Sequence, residues 1–140
     1  MLMPKFADLT VGDVVAEKSF EITRDSLVRY AGASGDFNPI HYRDDVALSV
    51  GLPGVLAHGM LTMGLSVQPV VDWIGDAGRI VDYGVRFTKP VVVPAQGHAT
   101  LTVTAKVAQL DEEQNRARID LGCSYEENNV LGKAQVWVQL

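Results

Sequence analysis

The stretch His58-Gly-Met-Leu-Thr-Met-Gly-Leu-Ser-Val-Gln-Pro-Val-Val-Asp-Trp-Ile74 is apolar on nearly every side, with the small residues Gly59, Gly64 and Ser66 set among Met60, Leu61, Met63, Leu65 and Val67. At helical pitch, a segment without a polar face is a helix wrapped by the rest of its fold. His58, Gln68, Pro69 and Asp72 interrupt the region from Val55 to Ile74, which therefore falls short of the roughly 20 unbroken apolar residues of a bilayer span. Pro69 lacks a backbone donor and crowds the preceding turn, so a kink or an early end is expected there. Beyond Gly75 the period changes to two. Val81, Tyr83, Val85 and Phe87 alternate with polar neighbours, and Leu101 to Val107, Ala117 to Tyr125 and Ala134 to Leu140 repeat the pattern. The turns at Pro90–Gly97, Asp111–Asn115 and Glu126–Asn129 are short enough for antiparallel neighbours. The expected class is α+β, an antiparallel sheet whose concave face is filled by the long apolar helix.

Upstream, Val14–Ile22 follows the turn-forming Gly12-Asp13 as a strand, and Thr23 is a good N-cap for a helix from Arg24 to about Ala33 with Leu27, Val28 and Ala31 on one stripe. A shaped loop over Asp36–Tyr42 comes next. Asp44 or its neighbour is expected to cap a short helix through Val46, Ala47 and Val50, closed by Gly51 and Pro53, with a second loop at Leu52–Ala57. No repeat or linker divides the 140 residues, so a single domain over 1–140 is expected. The chain carries 12 Lys and Arg against 17 Asp and Glu, a formal charge of −5, with 47% hydrophobic residues. That composition builds a globular core and disfavours nucleic-acid or anionic-membrane partners, which need clustered cations. The lone Cys123 excludes an intrachain disulfide framework and a multi-Cys zinc site; it reads as a buried small hydrophobe in a reducing compartment. Met1–Thr10 lacks the apolar run of a signal peptide, and a cytoplasmic protein is expected.

The chemistry is concentrated in Gly35-Asp36-Phe-Asn38-Pro39-Ile-His41, preceded by Tyr30 and followed by Ala47. Five fixed identities at this spacing arise by chance at a rate of roughly 10⁻⁵ in a chain of this length, so the string is specific. A carboxylate and an imidazole stand on either side of a turn stiffened by proline, an arrangement that aims an acid and a base at one cavity with little ordering cost. The same residues also suit a purely structural turn, with Asp36 bracing backbone amides and His41 at the surface. The pattern alone leaves both readings open.

The motif resembles that of the MaoC-like, R-specific hydratase family of the hot-dog fold. Ala57-His-Gly-Met-Leu-Thr-Met-Gly64 resembles the family's entry into the central helix, and Tyr83-Gly-Val-Arg-Phe-Thr-Lys-Pro90-Val its next strand. Within the family the likeness is to the β-subunit type of (3R)-hydroxyacyl-ACP dehydratase from actinobacterial type II fatty-acid synthesis. The resemblance implies reversible dehydration of 3-hydroxyacyl thioesters to trans-2-enoyl thioesters, on acyl-ACP or acyl-CoA, without cofactor or metal. It implies Asp36 and His41 as the catalytic pair, Asn38 as a brace of the loop, and the Gly59 amide as the group binding the thioester oxygen. A free amide at a helix N-terminus suits that role, because proton removal beside a thioester places negative charge on its oxygen; tight packing is the other reading of Gly59. The β-subunit likeness implies a heterodimer with a related subunit, and the hydratase alternative, acting on CoA esters, a homodimer. A non-catalytic acyl-binding subunit is a further alternative, against which the intact pair argues.

Other candidates read as structural. His58 could cap the helix or line the site, with a buried histidine satisfying backbone partners as the favoured reading; His98 is expected at the surface. Arg24, Arg29, Arg43, Arg86 and Lys89 could face an anionic carrier, but each is expected as an ordinary solvated charge. The three histidines lack metal-ligand spacing, and no glycine-rich nucleotide loop is present.

Overall fold

The computed structural model describes residues 2–140; Met1, part of the domain expected over 1–140, lies outside the described residues. Strand β1 (Val14–Ile22) leads through Thr23 into α1 (Arg24–Ser34), where Thr23 and Ser26 exchange side chain to backbone bonds in a capping box. A 3-10 turn over Pro39–His41 leads into α2 (Asp44–Ser49) and α3 (Gly59–Ile74). Then follow β2 (Ile80–Phe87), β3 (Ala99–Asp111), β4 (Arg116–Tyr125), the two-residue β5 (Asn128–Asn129) and β6 (Leu131–Gln139). All pairings are antiparallel, in the order β1-β3-β4-β6-β2, with β5 beside β4.

Alternation alone sets the buried face of the long strands. Leu101, Val103, Ala105 and Val107 of β3, Ala117, Ile119 and Cys123 of β4, and Val136 and Val138 of β6 form one shielded layer. Helix α3 lies across it and touches all five long strands. This is the hot-dog arrangement, one sheet curled around one helix.

Three expectations need correction. Helix α3 does not end early at Pro69, since it continues through the buried Pro69 to Ile74; Val70 and Ile74, both fully shielded, anchor its last turn in the core. Nor is α3 wrapped on all sides: Thr62, Ser66 and Val70 face inward, while Met60 is 59% exposed and Leu61, Met63 and Leu65 are only partly covered. Strand β2 is more open than its alternation suggests, with Val81 and Phe87 exposed. It is an edge strand, and register shifts at Ile80/Asp82 and Gly84/Arg86 turn its faces.

Candidate active site

Gly35, at φ 78°, ends α1 in the left-handed conformation that suits glycine, and its N–H closes on Ala31 O. The chain beyond it is folded by its own side chains. Asp36 Oδ1 accepts from the Asn38 N–H at 3.1 Å, and Asn38 Oδ1 accepts from the Ile40 N–H at 3.2 Å, so two consecutive turns deliver His41. His41 Nδ1 lies 2.7 Å from Leu56 O. A carbonyl only accepts, so Nδ1 carries the hydrogen and Nε2 keeps its lone pair for the site. That Nε2 stands 3.8 Å from Asp36 Oδ2, beyond a direct hydrogen bond. One Asp36 oxygen thus braces the turn while the other faces the imidazole.

The Leu56 carbonyl owes its position to a pairing absent from the sequence reading. Leu56 bridges Val92, the Ala57 N–H donates to Val91 O and the Val93 N–H to Val55 O, while the Leu56 N–H donates to Ile40 O. Asp44 does not cap α2, as was expected of it or its neighbour; Oδ1 instead accepts from Arg24 Nη2 at 2.8 Å and from the Val55 N–H at 3.2 Å. Arg24, expected as a solvated charge, also donates Nε–H to Val93 O at 2.8 Å. The clamp ties α1, α2 and both loops together. It leaves the Asp44 carboxyl below its usual range, the Arg24 hydrogen bond being the main cause. Arg29 and Arg43 pair with neighbouring Asp25 and Asp45 at the surface, Lys89 donates to Asn128, and His98 is exposed beside Glu21.

His58 occupies the N-cap position of α3 without a side-chain capping bond. It is 1% exposed; its Nε2–H donates to Asp36 O at 3.1 Å, its ring stacks on His41 with centroids 3.9 Å apart, and Tyr30 meets it edge-on. Burial pushes its pKa down, because desolvation disfavours the charged ring. It therefore satisfies a backbone partner and backs the ring of His41 from behind the cavity wall. Adjacency to Gly59 was the only sign of this in the sequence.

Gly59 opens α3, and its N–H has no backbone acceptor among the described residues. A Cβ there would stand 3.0 Å from Phe87 Cε1, so the ring of β2 closes directly over the glycine. Gly59 and His41 share a cavity of about 300 Å³, whose wall includes Thr62, Phe87 and Lys89. A second, apolar cavity of about 250 Å³ reaches His41 between Leu27, Val28, Phe37 and Tyr42. A larger groove of about 610 Å³ near Met3, Lys18 and Trp73 contains no imidazole. Asp36, His41 and His58 place their donor atoms within 4.8 Å of one another. Two rings stacked 22° from parallel send their in-plane lone pairs side by side rather than to one point, an arrangement that suits proton transfer better than metal ligation.

Residues 5–120 match the model of the MaoC like domain. The chain belongs to the MaoC-like family. Over 135 residues it is 32% identical to 3-hydroxybutyryl-CoA dehydratase of Methylorubrum extorquens, covering 95% of this chain and 83% of that one. Over 74 residues it is 43% identical to 3-hydroxyacyl-thioester dehydratase X of Mycobacterium tuberculosis, covering 53% of this chain and 25% of that protein. A solved MaoC-like dehydratase superposes with a TM-score of 0.95 at 36% identity, over 99% of this chain and 42% of the other. The matched stretches cover less than half the length of two of these three MaoC-like relatives, which carry further sequence beyond them. Among the described residues, no helix is long and apolar enough to cross a membrane.

Proposed function

We propose that this MaoC-like unit, over 1–140, is a hydro-lyase that interconverts (3R)-3-hydroxyacyl and trans-2-enoyl thioesters through Asp36 and His41. The observation that carries the reading is the 3.8 Å separation of His41 Nε2 and Asp36 Oδ2, with His41 lining a cavity that Gly59 lines as well. Two acceptors that far apart can share one oxygen, each at about 2.8 Å from it. That oxygen is the attacking water in hydration and the leaving hydroxyl in dehydration. Dehydration breaks the Cα–H and C3–O bonds and forms the double bond. One proton leaves Cα and one joins the departing hydroxyl, so the pair ends in the protonation state in which it began. Either residue can take the Cα proton. Negative charge gathers meanwhile on the thioester oxygen, where the Gly59 N–H and the positive end of α3 stabilise it. Asn38 serves through the turn that carries His41.

We assign the carrier to ACP on the β-subunit resemblance. A CoA ester is the second reading, favoured by the near-full-length likeness to 3-hydroxybutyryl-CoA dehydratase. A dimer is part of the proposal, homodimeric or with a related hot-dog subunit, because the β2 edge and the outer side of α3 leave Val81, Phe87 and Met60 exposed. We place the protein in the cytoplasm, in keeping with its lone buried Cys123. The test is the hydration rate of short and long trans-2-enoyl thioesters, on CoA and on ACP, by the chain and by Asp36→Asn. Turnover that disappears in the variant is expected, and near-full turnover in Asp36→Asn rejects the pair. A folded, inactive wild-type chain that gains Asp36-dependent turnover only with a second subunit identifies the heterodimer.

A further inference from the structure

His58 is a fully buried imidazole that touches both members of the pair, and the proposed chemistry gives it no task. Among the described residues its Nδ1 has no hydrogen-bond partner. An unpaired buried nitrogen is costly, and an apolar side chain would fill the space without that cost, so packing alone does not account for a histidine here. Its contacts do. The Nε2–H bond to Asp36 O holds the peptide from which the reacting carboxylate projects, and the ring face lies against His41. The single bond from His41 Nδ1–H to Leu56 O leaves that ring free to swing about the bond axis; a stacked neighbour removes this freedom.

We propose that His58 is the positioning residue of the pair: a neutral, Nε2-protonated imidazole that fixes the Asp36 peptide and the plane of the His41 ring, so that Oδ2 and Nε2 flank one oxygen. The inference rests on the hydro-lyase reading above. Among the described residues, the titratable groups facing His58 are Tyr30 from α1, and Asp36 and His41 from the loop. A neutral His58 presents a π face, rather than a second charge, to His41 when His41 takes up a proton.

Two substitutions separate the two contacts. His58→Gln keeps a donor for Asp36 O and loses the stacked face, whereas His58→Phe keeps the face and loses the donor. Each is expected to lower kcat about 10-fold with KM within about 3-fold, and His58→Ala to lower kcat about 100-fold, because misorientation of catalytic groups costs turnover rather than binding. ¹⁵N NMR of the wild-type chain is expected to show His58 as the Nε2–H tautomer, taking up a second proton only at lower pH than a free imidazole does. In His58→Ala the His41 ring resonances should broaden as the ring loses its fixed plane while the Nδ1–H bond to Leu56 O persists, which a merely space-filling role would not produce. Wild-type kcat in folded His58→Gln and His58→Phe, or a loss confined to KM, overturns the proposal. So does a wild-type His58 that titrates normally or carries its proton on Nδ1, and that result can be read even if no variant folds. Retained activity in Asp36→Asn rejects the hydro-lyase reading instead, and the two failures are thereby told apart.

Discussion

The layer formed by β3, β4 and β6 and the segment from Gly35 to His58 are held together by different physics. In the sheet, backbone groups pair with each other along the ladders and the shielded side chains are aliphatic, so period and volume are what matter. In the loop segment, Asp36, Asn38, Asp44 and His58 satisfy the backbone one bond at a time, and Arg24 of α1 does the same for the neighbouring Val93. Aliphatic positions tolerate other aliphatics of like volume, but each polar bond of the loop demands a particular donor or acceptor at a particular reach. The core should therefore fail through stability and the loop through activity.

The sharpest way to break this contrast is the pair itself. Asp36→Asn keeps an Oδ1 acceptor for the Asn38 N–H and removes only the charge facing His41, so kcat is expected to fall about 10²- to 10⁴-fold while the thermal midpoint barely moves; His41→Ala should do likewise in a steady-state assay. If either loss proves to be unfolding, the contrast collapses. Ile119→Ala in the sheet is the converse. It should cost about 2–5 kcal/mol in denaturant unfolding, through lost transfer free energy and a cavity, with kcat per folded molecule unchanged.

Two arginines of α1 sharpen the comparison. Arg24→Ala breaks the bond to Val93 O and the tie to Asp44, and about 1–2 kcal/mol is expected from the carbonyl bond alone, with a modest fall in kcat as Leu56 and His41 loosen. Arg29→Ala, which loses only the exposed pair with Asp25, should leave the thermal midpoint where it was. Acid titration supplies a smaller effect. Burial lowers the His58 pKa from its ordinary value of 6.5, so below that pH the unfolded chain binds a proton the folded chain refuses. This contribution to stability is complete above pH 6.5 and declines as pH falls below it. Denaturation midpoints at pH 7.5 and 5.5 should therefore differ less in His58→Phe than in the wild-type chain, and an equal difference in both removes His58 from the acid response.

Much of the architecture could be read from periodicity. Strand β1, helix α1 with its Thr23 cap, and the alternation of β3, β4 and β6 depend on residues close in the chain, and local sterics and amphipathic period set them. β5 and the pairing of Leu56 with Val92 were missed because a two-residue ladder carries no period. The exposed β2 residues and the half-open α3 were missed because the sequence does not say which strand is an edge. Pro69 misled because a local penalty was outweighed by the burial of Val70 and Ile74.

The site divides in the same way. Asp36, Asn38, Pro39 and His41 lie within six consecutive residues, so their bracing turns are local and legible in the sequence. The Leu56 carbonyl that sets the His41 tautomer, the His58 ring against it, the Phe87 ring over Gly59 and the Arg24–Asp44 clamp join residues 15 to 28 positions apart. The motif supplies the groups proposed for the chemistry. Tertiary packing decided which nitrogen of His41 faces Asp36 and at what distance, because a proton's place on an imidazole is set by the partner across from it, and that partner is brought there only by the fold.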